Sequence, residues 1–152
     1  MTRCEACKGP LRQGLVEESR EVGGHRFVAS LPARVCSGCG ERYLEARTLA
    51  RFEQRIAVSL ARAGETRGEV FKLARKAVGL RAADLGELLG VAPETISRWE
   101  TGERPVDRGA FALLADMAQD ALEGRPATLE MLRAMKSPKR LAKTVRLGRL
   151  VA

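Results

Sequence analysis

Aromatic side chains are scarce: they make up 4% of the 152 residues, with one Trp, one Tyr and four Phe. Any core is therefore mostly aliphatic. No apolar run approaches the roughly 18 residues that a membrane span needs. Behind Met1-Thr2-Arg3-Cys4 there is no apolar stretch of the kind that follows in a secretory signal. The expected compartment is the cytoplasm. There is one histidine, no glycine-rich phosphate loop after a strand, and no cysteine beyond position 39. These absences leave no catalytic constellation, and an enzyme is not expected. Acidic residues are missing from 136–152 altogether.

What is present suits a folded chain. It is 45% hydrophobic and 30% charged, enough for one ordinary domain or two small ones. The net charge of +8 suggests an anionic partner such as nucleic acid. Its distribution is more telling than its size. Bases outnumber acids 11 to 7 in residues 1–63, acids outnumber bases 12 to 10 in 64–135, and 136–152 holds six bases. Contact with DNA would therefore run through a local patch.

The four cysteines form two pairs, Cys4-Glu5-Ala6-Cys7 and Cys36-Ser37-Gly38-Cys39. Two residues between thiolates let one tight turn aim both sulfurs at a point. Two such turns make a closed tetrahedron, which suits a single structural Zn²⁺ per chain and leaves no open position for catalysis. Two disulfides or one redox-active pair are the alternatives. Glycine follows each pair, Gly9 and Gly40, and the two stretches read as matching knuckles. His25, in Val22-Gly23-Gly24-His25-Arg26, reads as a surface turn residue. Strand chemistry at 14–18 and 26–31 flanks the Gly23-Gly24 turn. The whole is a zinc ribbon over 1–44, with metal supplying much of its folding energy.

From Glu45 the pattern turns helical: Leu49, Phe52, Ile56 and Leu60 recur at spacings of three and four, up to Gly64. Residues 45–68 read as a connecting helix and linker. Residues 69–135 break into about five short helices, four of them closed by Gly79, Gly90, Gly102 and Gly124, with Thr128 as cap of the fifth. Two short helices joined through Leu89-Gly90-Val91-Ala92 carry the helix-turn-helix signature. The fold class is α+β: a small β-rich ribbon, then an all-α domain, then a basic tail over 136–152.

The stretch from Gly79-Leu80-Arg81 through Leu88-Leu89-Gly90-Val91 to Thr95-Ile96-Ser97-Arg98-Trp99-Glu100-Thr101-Gly102 resembles the Cro/repressor-type (Xre) helix-turn-helix. With a CxxC…CxxC ribbon and a helix before it, residues 1–124 resemble the MqsA-like (YgiT-type zinc finger) antitoxin and regulator family. That resemblance implies a bacterial protein, nucleoid-associated when bound. Its zinc domain would grip a partner toxin, usually an RNase, while its helix-turn-helix domain dimerises and represses its own operon at a palindrome. The alternative is a stand-alone transcription factor with no toxin. This chain departs from the pattern at two places. Arg81-Ala82-Ala83 stands where the second helix usually begins Thr-Gln, so that contact is lost or passes to Arg81. Glu94 stands where an Asn is offered near the start of the recognition helix.

The recognition helix starts near Pro93, which suits a first helical position. Ile96 and Trp99 face the core, and Glu94, Thr95, Ser97 and Arg98 lie outside that stripe. Arg98 is the one cation on this helix and the candidate for guanine or phosphate; Thr95 offers a hydroxyl and a methyl. Glu100 is read as capping the next turn or pairing with an Arg. Lys72, Arg75 and Lys76, beside Arg67, could straddle the phosphate backbone. Homodimer contacts are expected from the last two helices, near Leu114, Leu122 and Leu132. The tail is read as an extension adding phosphate contacts; a strand added to a partner and a solvated tail stay open.

Overall fold

The computed structural model describes residues 2–151. Strand β1 (Leu11–Val22) and strand β2 (His25–Cys36) form an antiparallel hairpin, and β3 (Arg42–Tyr43) adds to the far end of β2, giving the order β1-β2-β3. The hairpin closes with Val22 opposite His25 across Gly23-Gly24, and ends with Leu11 opposite Cys36. This is the two-residue turn expected, with longer strands than the apolar runs suggested. β3 had no signal of its own; two residues are too few for an alternating pattern.

Alternation sorts the hairpin into two faces. Val16, Val22, Leu31 and Ala33 are buried on one, while Leu15 and Val28 are exposed on the other. The buried face meets α1 (Ala46–Arg62). Phe52, Ile56, Ala57 and Leu60 of α1 share one continuous cluster with Val22 and Leu31. The same cluster runs on into α2 (Gly68–Ala77), α3 (Ala82–Leu89), α4 (Pro93–Thr101), α5 (Arg108–Glu123) and α6 (Ala127–Lys136). Helix α1 thus sits between the sheet and the remaining helices. Residues 65–68, the linker end of the 45–68 segment, join α1 to α2, with Thr66 and Arg67 exposed. Arg67 donates from Nη2 to the Gly23 carbonyl at 2.5 Å and from Nε to Glu65 at 2.9 Å, clasping the hairpin turn to the start of α2. An ion pair between Arg20 and Glu53 ties β1 to α1. Among the described residues, no helix is long and apolar enough to cross a membrane.

Two expectations for the last helices are corrected. Thr128 does not cap α6. Its own backbone N–H donates to the Asp120 carboxylate at 2.7 Å, so the cap comes from the preceding helix. Leu114 and Leu132 are not surface residues: they are 1% and 9% exposed, inside the chain's own core.

Candidate metal centre and nucleic-acid interface

The knuckles are built alike. The N–H of Cys4 bonds the Gly9 carbonyl and that of Cys36 bonds the Glu41 carbonyl, each at 2.9 Å. The N–H of Lys8 returns to the Cys4 carbonyl and that of Gly40 to the Cys36 carbonyl, each at 3.0 Å. Lys8 (φ 60°) is therefore the counterpart of Gly40 (φ 77°), both in the left-handed region. This corrects the pairing of Gly9 with Gly40. Gly9 is needed for a different reason: a Cβ there would lie 3.1 Å from the sulfurs of Cys7 and Cys36. The Ser37 N–H bonds the Pro10 carbonyl at 3.2 Å, joining the two knuckles.

This fold brings all four sulfurs within 4.8 Å of one another, with Cys7 to Cys36 at 3.3 Å and Cys4 to Cys39 at 3.6 Å. A tetrahedron with metal–sulfur bonds of about 2.3 Å has edges of about 3.8 Å, so the cluster has the size of a four-thiolate metal site. Cys4 and Cys36 are buried, Cys7 and Cys39 exposed. The thiols oppose one another in ionisation. The Tyr43 hydroxyl, then backbone groups, lower the Cys4 thiol to about 6. At Cys39 the Glu41 backbone works downward, but the neighbouring sulfurs of Cys7 and Cys4 outweigh it and push the thiol up to about 12. Four sulfurs so close could hold a metal ion, whose charge would offset the repulsion among them as thiolates. The residues present fit such an ion.

Tyr43 had no part in the expected site. It arrives on β3, its hydroxyl 3.3 Å from the Cys4 sulfur while accepting the Glu5 N–H at 2.9 Å. Its position next to the second knuckle, in Gly40-Glu41-Arg42-Tyr43, was the available signal. His25 is exposed at the opposite end of the hairpin, as expected.

The second site is the face of α4. Helix α3, the turn around Gly90 and α4 form the bihelical unit. A Cβ on Gly86 would meet the Val91 carbonyl at 2.7 Å, so a residue without one lets the turn close against α3. Ile96 is fully buried, and Trp99 stacks edge-on against Phe71 at 5.7 Å. With those anchors inward, Glu94, Ser97 and Arg98 are exposed and Thr95 is half-buried. Pro93 opens α4 after Ala92, which makes no side-chain cap. Arg98 has Glu103 at 3.6 Å, an exposed pairing that a stronger anion can displace. The loop after α4 folds back, the Arg104 N–H donating to the Arg98 carbonyl at 3.1 Å. Arg104 is exposed there, a cation beside the reading face that periodicity did not single out.

The cations of α2 divide. Arg75 is 9% exposed and forks onto Glu100, Nε to Oε1 at 2.5 Å and Nη2 to Oε2 at 3.1 Å, with Nη1 on the Leu80 carbonyl at 2.8 Å. Its expected phosphate contact is therefore corrected: every arm of the guanidinium is engaged inside the fold. The same pair answers the question posed at Glu100, whose carboxylate holds an Arg. Lys72 and Lys76 are exposed, but line a hollow of about 230 Å³ with Arg20, Glu21, Glu53 and Glu69, on the side of the hairpin turn. Arg67, expected beside them, is committed to its clasp. Arg81 is exposed at the start of α3, forked onto Asp84 at 2.9 and 3.0 Å.

Residues 68–119 match the family described as helix-turn-helix domain. No curated protein matches the chain. The α2–α5 unit thus matches a helix-turn-helix domain, preceded by a four-cysteine cluster on a small antiparallel sheet.

Proposed function

We propose that this protein is a sequence-specific transcriptional repressor with one structural Zn²⁺, acting as a homodimer on a palindromic operator. The observation that carries this reading is the α4 face within the matched domain. Ile96 and Trp99 are locked inward while Arg98, Thr95, Ser97 and Glu94 stand outward, as a helix laid in a major groove requires. Zinc suits four converging thiolates better than harder, oxygen-seeking ions. Arg81, exposed at the start of α3, adds a contact to the backbone at the edge of that face.

Dimerisation draws on exposed apolar side chains of the C-terminal helices, Leu113, Met131 and Met135, in place of the buried Leu114 and Leu132. We further infer an antitoxin role: a ribbon, a helix and an Xre-type domain in this order match the architecture of the MqsA-like antitoxins. In that role the ribbon half holds the toxin, which leaves α4 for the operator. No catalytic step is assigned to the chain.

The test is selection of duplexes from a random pool, followed by titration with Arg98→Ala. A forked contact to guanine predicts a loss of about 1–3 kcal/mol and a blurred base preference at one position per half-site. Sedimentation should give a dimer on the selected palindrome. Wild-type affinity and selectivity in Arg98→Ala would overturn the assignment of α4. Co-expression with the adjacent reading frame tests the antitoxin role: a ribonuclease inhibited by this chain supports it, and an inert product removes it.

A further inference from the structure

The reading unit is short of positive charge. Residues 82–101 hold four acids, Asp84, Glu87, Glu94 and Glu100, against the single base Arg98. Three of those acids are matched from outside the unit, by Arg81, Lys136 and Arg75. Duplex DNA carries one negative charge per about 1.7 Å of axis, and its neutralisation dominates affinity. A face balanced like this one reads bases but contributes little of that neutralisation.

The tail has the opposite balance. Lys139, Arg140, Lys143, Arg146 and Arg149 are all exposed, with no acid among them, and among the described residues none of the five forms an ion pair. The root of the tail is nevertheless fixed. Leu132 is buried, and Lys136 at the end of α6 pairs with Glu87 on α3. Asp84, one turn earlier on α3, has its carboxyl held below the ordinary range by the Arg81 hydrogen bond, with the charge of Lys136 contributing. The tail thus leaves from the outer face of α3. In helix-turn-helix domains this first helix of the pair crosses the phosphate backbone.

Residues 137–151, drawn out, reach about 50 Å at about 3.3 Å per residue, beyond one duplex turn of about 34 Å. Ala142, Thr144 and Gly148 are small, and a single extended strand fits a minor groove about 6 Å wide. Between the cations stand the exposed Leu141, Val145, Leu147 and Leu150, apolar side chains of the kind that minor-groove proteins wedge between base steps. Arginine is drawn to the narrow minor groove of A·T tracts by its enhanced negative potential. The backbone bends at Gly148 (φ 74°), between Arg146 and Arg149.

We propose that the tail is a second DNA-binding element, an arm that enters the minor groove flanking each half-site. Lys139, Arg140 and Lys143 lie on phosphates beside α3, and Arg146 and Arg149 reach into the groove. The arm adds a preference for A·T pairs that α4 never touches. It rests on the reading of the chain as a DNA-binding protein.

The probe is a duplex selected by the full chain from a random pool, made in two forms with A·T or G·C pairs flanking the selected core. Wild type is titrated at several salt concentrations beside Arg146→Ala/Arg149→Ala, Lys139→Ala/Arg140→Ala/Lys143→Ala and Arg98→Ala. The tail lies outside the core, so its variants keep their helical content. Wild type should bind the A·T-flanked form about ten-fold more tightly. Arg146→Ala/Arg149→Ala should erase that difference and keep the core preference. The triple variant should weaken both forms alike and flatten the slope of log affinity against log salt by roughly three units per subunit. Wild-type flank preference and slope in both tail variants would overturn the arm, even where Arg98→Ala loses core selectivity. Should Arg98→Ala behave as wild type while the tail variants shift as expected, the reading of α4 falls and the arm stands.

Discussion

The knuckle end of the ribbon and the bundle of α2 to α5 seal themselves with different materials. In the knuckles two buried cysteines, two exposed ones and the Tyr43 hydroxyl converge. In the bundle Val70, Phe71, Leu85 and Ile96 are each 0% exposed, and the buried Arg75 enters fully paired. The first region gathers four thiols that could hold a metal ion; the second stands on apolar burial. Helix α1 belongs to neither alone. It packs under the Gly23-Gly24 end of the hairpin and against the bundle at once, so the knuckle end is a projection from one continuous core.

That contrast is open to breaking, and the largest effect comes from the metal. Structural zinc sites contribute apparent free energies of about 10–16 kcal/mol near neutral pH. Chelation, or Cys36→Ser, should strip amide-exchange protection from residues 2–10 and 36–43 while the helices and the turn end of the hairpin keep theirs. Loss throughout the helices would show that the bundle also depends on the metal, and would dissolve the distinction.

The bundle has its own weak point. Glu100→Ala leaves Arg75 buried without its partner, which should cost about 3–5 kcal/mol. Denaturant midpoints measure this, and metal content should stay at the wild-type level. A drop in metal content alongside would couple the two regions more closely than their packing suggests.

A smaller effect sharpens the ribbon side. In metal-free protein the Cys4 thiol sits at about 6, against an ordinary 9.0, foremost because of Tyr43. A lowered folded pKa stabilises the knuckle fully above the unfolded value of 9.0, and that contribution is lost as pH falls toward about 6. Tyr43→Phe should move the thiolate absorbance midpoint upward and narrow this window. An unchanged midpoint would remove Tyr43 from the site.

Much of the architecture was legible because local signals agreed. The Cys spacing, the Gly23-Gly24 turn and the apolar recurrences of α1 to α5 each rest on contacts within a few residues or on one repeated period. At the α4 site the same reasoning separated Ile96 and Trp99 from Arg98 correctly, since opposite faces of a helix follow from counting. It placed Arg75 wrongly for a related reason. Arg75 is charged and neighbours Lys76, and only a partner 25 positions away makes it a core residue.

The 152 residues by themselves determined that four thiols would meet, that a helix-turn-helix would follow, and that positive charge would gather at the tail. The tertiary structure decided the rest. It put Tyr43 against Cys4, Arg67 on the Gly23 carbonyl, Glu100 on Arg75, and Leu114 and Leu132 inside the chain's own core. The physical reason is that periodicity tells which side of an element is apolar, whereas a polar side chain's partner depends on which elements pack across from it.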